Sequence, residues 1–237
     1  MPSHPQSSIE NRLLASLPKA DFALLAPKLQ WVDFKVRDVV YGPNQKIEHA
    51  YFPTAGICSV IAENAEGVRC ETGVIGNEGF IGNAIVLFAD SAPSRVIVQA
   101  EGRALRIKKN DLRNAMTGSS ILLATLLRFI HVFMVQISQT AITNGHNTIA
   151  ERLARWMLMY EDRSNAPEFT ITHEFVALIL AVRRSGVTEA LNELEGQNLI
   201  RATRGHITVL DRSGLKAIAG GAYGVPEKEY KRLLSAR

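Results

Sequence analysis

Cysteine is nearly absent: Cys58 and Cys70 are the only two in 237 residues, and they form no CxxC pair. That excludes a disulfide framework and leaves no ligand set for an iron–sulfur cluster. No secretory signal is read at the N-terminus, so a reduced, cytoplasmic setting is expected. Histidine is sparse and scattered. His4, His49, His131, His146, His173 and His206 include no HxH pair, so neither a metal site nor a metal-dependent enzyme is expected, and no other catalytic constellation stands out. Charge of one sign is lacking too, since the formal net charge is +4 and the pI about 9.2, a mild excess that permits approach to a polyanion without requiring it. A clean membrane span is missing. The most apolar run, Ile121 to Ile137, is interrupted by Arg128, His131 and Gln136 and falls short of the ~20 apolar residues that a spanning helix needs. No internal repeat or low-complexity tract occurs.

With 46% hydrophobic residues, the chain has apolar material for two ordinary domains. After a polar stretch from Met1 to Ser8, Leu13, Leu14 and Leu17, then Phe22, Leu24, Leu25 and Leu29, give two short helical pieces punctuated by Pro18 and Pro27. From there to about Arg106 the texture is of short β-branched or alternating runs: Val32 to Val36, Ile57 to Ala62, Val68 to Ile75, Val96 to Ala100 and Ala104 to Ile107. Turn clusters separate them, at Gly42-Pro43-Asn44, Pro53-Thr54-Ala55-Gly56 and Gly76-Asn77-Glu78-Gly79. Many short strands with regular turns predict a roll or barrel.

Beyond Asp111 the period becomes helical, with Leu123, Leu126/Leu127, Ile130, Phe133/Met134, Ile137 and Ala141 recurring every three or four residues. A single helix from Ser119 to Asn144 would run about 39 Å at ~1.5 Å per residue. Leu122, Phe129 and Val132 lie off that stripe, so more than one face is apolar. The economical arrangement sets one face on the chain's own roll and the other against the same helix of a second copy. Asn144-Gly145-His146-Asn147 breaks the pattern. Thr148 then caps a further amphipathic helix with Ile149, Leu153, Trp156, Met157 and Tyr160, which ends in the polar loop Glu161 to Glu168. The expected division is 1–118, 119–144 and 145–237.

The segment Ile171 to Leu194 holds two short helical patterns about three residues apart. In the first, Thr172 is the expected N-cap, Glu174 sits in the first turn, and Val176, Ile179 and Leu180 face inward, with small Ala177 where a second helix must cross closely. In the second, at ~100° per residue, Val187, Ala190, Leu191 and Leu194 fall within an arc of about 100°. Arg184, Ser185, Thr188, Glu189 and Asn192 occupy about 140° on the other side. That side offers a guanidinium, hydroxyls, a carboxylate and an amide, which match base edges in the major groove, whereas an ordinary solvated face carries Lys and Glu. Leu199 to Ala202, the turn Thr203-Arg204-Gly205 and His206 to Leu210 then read as a β-hairpin whose cationic tip suits a phosphate backbone.

The order of these parts, with Ile171-Thr172, Arg184-Ser185-Gly186-Val187-Thr188 and Gln197-Asn198-Leu199-Ile200 inside it, resembles the CRP/FNR superfamily of regulators from about Asn11 to Leu210. The resemblance implies an α+β fold: an N-terminal jelly-roll (double-stranded β-helix) sensor domain, a long dimerisation helix and a C-terminal winged helix-turn-helix. It implies a homodimer that binds inverted repeats in double-stranded promoter DNA and works with RNA polymerase. Arg184, Ser185 and Glu189 fall at its base-reading positions and Arg183 at its phosphate-contacting position. Thr172, His173, Thr188, Asn192, Arg204 and His206 complete the expected DNA-binding set. Two departures stand out: Ala181 occupies a turn position where Gly is common, and Arg183 stands where Ser would cap a helix.

In the roll, Gly76 to Asn83 followed by Ser94 to Ala100 resembles the family's cyclic-nucleotide cassette. Gly79, Phe80, Gly82, Asn83, Ser94 and Arg95 are therefore the candidate effector-binding residues. Such a site needs a carboxylate for the ribose hydroxyl and an arginine for the cyclic phosphate. Asn83 stands at the carboxylate position, and Ser94 rather than Arg95 at the arginine position. Side chains alternate along a strand, so Arg95 is expected to point out of the roll. The glycines also suit plain turns or another small effector. No cyclic nucleotide and no other cofactor is expected.

Overall fold

The computed structural model describes residues 5–164, 168–203 and 205–234. Its first anchor is Asn11. The Asn11 Oδ1 accepts from the Leu14 N–H and caps α1 (Arg12–Ser16), while Nδ2 donates to the carbonyls of Pro53 at 2.9 Å and Gly79 at 2.8 Å. A fully buried asparagine with all its polar atoms used pins the helix to the strands beneath. Helix α2 (Lys19–Leu25) starts after Pro18 and gives way to a 3-10 turn containing Pro27, as the proline spacing predicts.

The roll is antiparallel, built from β1 (Gln30–Phe34), β2 (Val39–Tyr41), β3 (His49–Glu63), β4 (Arg69–Ile75), the short α3 (Asn83–Val86) and β5 (Arg95–Lys108). The strand order is β1-β5-β3-β4, with β2 also on β5. Here the structure corrects the sequence. Pro53 to Gly56 is no turn but lies inside the long β3, and Val96 to Ala100 and Ala104 to Ile107 are one strand. Register shifts between Pro53 and Cys58, with Gly56 at φ 87°, bend β3 without ending it. Bulges and breaks give the same Pro/Gly signal, because both put the backbone where a regular ladder cannot. At this bend a Cβ on Gly102 would lie 2.2 Å from the Ala55 carbonyl carbon, so only glycine lets the strands cross so closely. The interior is apolar, with Phe52, Phe80, Ile81, Ile85, Val96, Val98 and Leu105 in one cluster.

After α4 (Lys109–Gly118), Ser119 caps α5 (Ser120–His146) by accepting from the Leu122 N–H. The helix runs on through Asn144, Gly145 and His146, where the sequence suggested a break. One glycine costs a helix only about 1 kcal/mol, and the stop signal lies just beyond. Glu151 accepts from the Thr148 N–H and the Asn147 amide while Thr148 Oγ1 accepts from the Glu151 N–H, a capping box. By length and composition α5 could cross a membrane. Its apolar face is instead spent on the roll, through Leu122, Leu126, Phe129, Ile130 and Phe133. Gln136 covers the free edge of β4, accepting from the Val74 N–H at 2.7 Å and donating to the Val74 carbonyl at 3.3 Å. Leu127, Met134 and Ile142 stay exposed.

The remainder is α6 (Ile149–Ser164), β6 (Glu168–Thr170), α7 (His173–Leu180), α8 (Arg184–Gly196), β7 (Ile200–Thr203), β8 (His206–Val209), α9 (Arg212–Ala219) and α10 (Val225–Leu234), with a small sheet in the order β6-β8-β7. Its core gathers Leu153, Trp156, Met157, Val176, Leu180, Val187, Leu191, Leu194 and Leu215. Polar contacts from α6 and α10 tie it back to the roll and α5. Arg163 of α6 donates from Nε to Glu78 at 2.7 Å, both side chains being buried. From α10, the Tyr230 hydroxyl donates to the Glu78 carbonyl at 3.0 Å, and Glu229 meets His131 of α5 at 2.9 Å.

Candidate nucleic-acid interface

Helix α7 begins where the sequence places it: Thr172 is extended and its Oγ1 accepts from the Phe175 N–H at 3.2 Å. It ends at Ala181, which takes the left-handed conformation (φ 51°, ψ 47°) and donates its N–H back into the last turn. The end is reinforced from below by buried Arg152 of α6, whose guanidinium donates to the Leu180 carbonyl. After this turn Arg183 is the N-cap residue of α8 and makes no side-chain cap. Gly186 carries the crossing of α8 over α6, because a Cβ there would stand 2.7 Å from the Ile149 Cδ1. Val187, Ala190, Leu191 and Leu194 are buried, and Arg183, Arg184, Ser185, Thr188, Glu189 and Asn192 are exposed on the outer side.

The two helices thus present one polar surface. At its edge Thr172 and His173 are exposed at the start of α7. Arg184 is not free: its Nη2 lies 2.8 Å from Glu174 Oε1, in a pair exposed on both sides. Such a surface pair is worth at most about 1 kcal/mol, so it steers the guanidinium without locking it away. Glu174 was read from sequence only as a helix-start residue, because a pairing across the turn depends on the angle between the helices. The hairpin of β7 and β8 stands beside α8 and is moored to it by Glu195, whose Oε1 accepts from the Ala202 N–H at 3.0 Å. Gly205 takes φ 79° at the tip, Arg204 lies outside the described residues, and exposed His206 sits 3.3 Å from Thr170 Oγ1 through Nδ1.

The six roll residues singled out for an effector are not drawn together as a charged cradle. Gly79 is a packing residue, since a Cβ there would lie 2.1 Å from the Phe129 ring of α5. Phe80 is fully buried between Phe52 and Phe129, with ring centroids 5.8 and 5.4 Å away. Gly82, at φ 115°, starts α3, and Asn83 follows with its Oδ1 buried and unpartnered. Ser94 lies beside the Tyr41 hydroxyl. Val96 and Val98 enter the interior, whereas Arg95 pairs with Glu63 at 3.2 Å on the other face of the sheet. Among the described residues no three His, Cys, Asp or Glu side chains group as metal ligands.

Comparison with known proteins agrees with this layout. Residues 151–218 match the family model of the Crp-like helix-turn-helix domain. No curated protein sequence matches the chain. Among solved structures, a putative transcriptional regulator of the Crp/Fnr family from Eubacterium rectale superposes with a TM-score of 0.68 at 16% identity, covering 87% of this chain and 97% of that one. A CRP/FNR-family regulator from Thermus thermophilus gives 0.66 at 22% identity, covering 80% and 98%. The c-di-GMP responsive global regulator CLP from Xanthomonas campestris gives 0.67 at 14% identity, covering 82% and 100%.

Proposed function

We propose that this chain, which carries a Crp-like helix-turn-helix domain on the fold of the CRP/FNR transcription regulators, reads promoter DNA with the outer face of α8 and regulates transcription from it. One observation supports this most directly. The hydrophobic stripe of α8 is wholly consumed by packing, while Arg184, Ser185, Thr188, Glu189 and Asn192 stand together in solvent. A helix so mounted can enter a major groove, with Arg184 suited to a guanine edge and Arg183 to a phosphate. In this reading Thr172, His173, Arg204 and His206 supply the flanking contacts.

The working species in this reading is a cytoplasmic homodimer, free of the membrane, joined along the exposed side of α5 and acting with RNA polymerase. Residues 1–118 are the sensor, 119–144 the dimer helix and 145–237 the DNA-binding unit. In the same reading the chain regulates rather than catalyses, and cyclic nucleotides are not its effector: among the described residues Arg95, beside the family's arginine position, faces away from the roll interior and pairs with Glu63. The test is to select bound sequences from genomic fragments and measure affinity by fluorescence anisotropy. An enriched inverted repeat should bind roughly 10³-fold or more tighter than random duplex. Equal affinity for both would overturn the reading.

A further inference from the structure

The sheet of the roll has a second face, turned toward the DNA-binding unit. Ile57 and Val74 of that face share a core with Trp156 of α6. Set into this apolar contact is Glu71 of β4, only 4% exposed and in no salt bridge, with Oε2 lacking any partner. The indole N–H of Trp156 faces it, a donor that favours the carboxylate. Ser59 of β3, also fully buried, stands beside the carboxyl and 2.9 Å from Gln99 Oε1 of β5; its hydroxyl favours the charged form of Glu71, and burial outweighs it.

The charged groups that bear on this carboxyl come from α6. Arg163 is occupied by Glu78. Arg155 is buried, makes no salt bridge and reaches α5 instead, its Nη2 lying 3.2 Å from Thr140 Oγ1 and 3.5 Å from the Gln136 carbonyl. The other helices against β4 bring no further charge to the site. On α7 the charged residues His173 and Glu174 are exposed, and α5 contributes the neutral Gln136 there. A buried acid and a buried cation, neither in a salt bridge, thus lie on either side of one contact, each influencing the other's ionisation, with Glu227 of α10 also bearing on Arg155 and favouring its charge.

We propose that Glu71 is a proton-operated latch between the roll and the DNA-binding unit. As a neutral acid it seals β4 against α6. As a carboxylate it draws Arg155 off α5 and so changes the setting of α6, on which α7 and α8 are mounted. The step is a proton exchange with solvent, with the charge left on Glu71 compensated by Arg155. Burial pushes the Glu71 carboxyl up to about 8 and draws the Arg155 guanidinium down to about 10, so the latch would work near neutral pH. The sign follows from linkage. A raised carboxyl stabilises the sealed contact fully below its unfolded value of 4.5, and that stabilisation is lost as pH rises toward 8.

The chain has two tryptophans, Trp31 and Trp156, so Trp31→Phe leaves Trp156 as the reporter. Its emission, followed from about pH 7 to about pH 9.5, should show one transition near the Glu71 midpoint. Glu71→Gln, the neutral isostere of the acid, should abolish that transition, Cys70→Ser should keep it, and Arg155→Gln should move it upward. On the selected duplex the wild type should change affinity several-fold across the transition while Glu71→Gln stays flat. A transition absent from the reporter, or persisting in Glu71→Gln, would overturn the latch. A transition without any change in DNA affinity would overturn its coupling to binding. This inference rests on the proposed DNA-binding role only for its last arm: failure to bind any DNA would refute that role, while the emission still tests the latch.

Discussion

Ala181 is an L-residue in the left-handed region, at the tight turn between α7 and α8. The Cβ in that conformation costs roughly 1–2 kcal/mol, partly offset in glycine by the greater entropy that glycine loses on folding. Ala181→Gly should therefore raise the unfolding free energy by about 1 kcal/mol, seen as a higher denaturant midpoint at unchanged slope. An unchanged or lower midpoint would show that the turn carries no such strain. The two arginines next to it are expected to divide their work. Arg184→Ala should cost about 1–3 kcal/mol on the selected duplex and relax preference at one base pair, whereas Arg183→Ala should weaken all sequences alike and reduce the salt slope by about one. Identical losses on selected and random DNA would refute that division. The identities of these residues were legible from sequence, because helical period alone sorts the two faces of α8. The Arg184 to Glu174 pair and the mooring of β7 by Glu195 were not, because contacts between elements depend on crossing angles that no local pattern encodes.

Element by element, helices were more legible from sequence than strands. Amphipathic period, proline spacing and capping residues placed α1, α2, α6, α7 and α8 close to where they lie. The long β3 and β5 were cut into pieces because Pro53, Gly56 and Gly102 mark bulges as readily as turns. For α5, the period revealed two apolar faces but blurred which residue serves which. Ile130, which shares its periodic stripe with Leu127 and Met134, is 6% exposed and packs within its own chain, while Leu127 and Met134 are 42% and 60% exposed. A charge at Ile130 would therefore test the core rather than the dimer. Leu127→Glu with Met134→Glu is the cleaner probe: light scattering should report a folded monomer, and the loss of paired half-site contacts should lower affinity for an inverted repeat by at least tenfold. A double variant that remains dimeric would place the subunit contact elsewhere.

For the whole molecule, the proposed sensor role turns on what the roll can hold. Arg95 and Val96 are neighbours on β5, and the sheet sends them to opposite faces, Val96 into the core with Val98 and Arg95 out to Glu63. Bringing Arg95 inside would break its ion pair and shift the register of a strand hydrogen-bonded on both sides by β3 and β2. Asn83 could hold a ribose hydroxyl only as a neutral partner, and Phe80 with Gly79 is committed to the joint with α5. Loss of a charge-assisted contact at the phosphate and another at the sugar removes a few kcal/mol each, enough to carry a micromolar site beyond millimolar. Calorimetry with cyclic AMP and with cyclic GMP should therefore give no saturable heat, and neither nucleotide should alter binding to the selected duplex. A micromolar dissociation constant for either would mean that β5 can re-register. It would then return the sensing role to the roll interior and away from the contact that Glu71 makes with the DNA-binding unit.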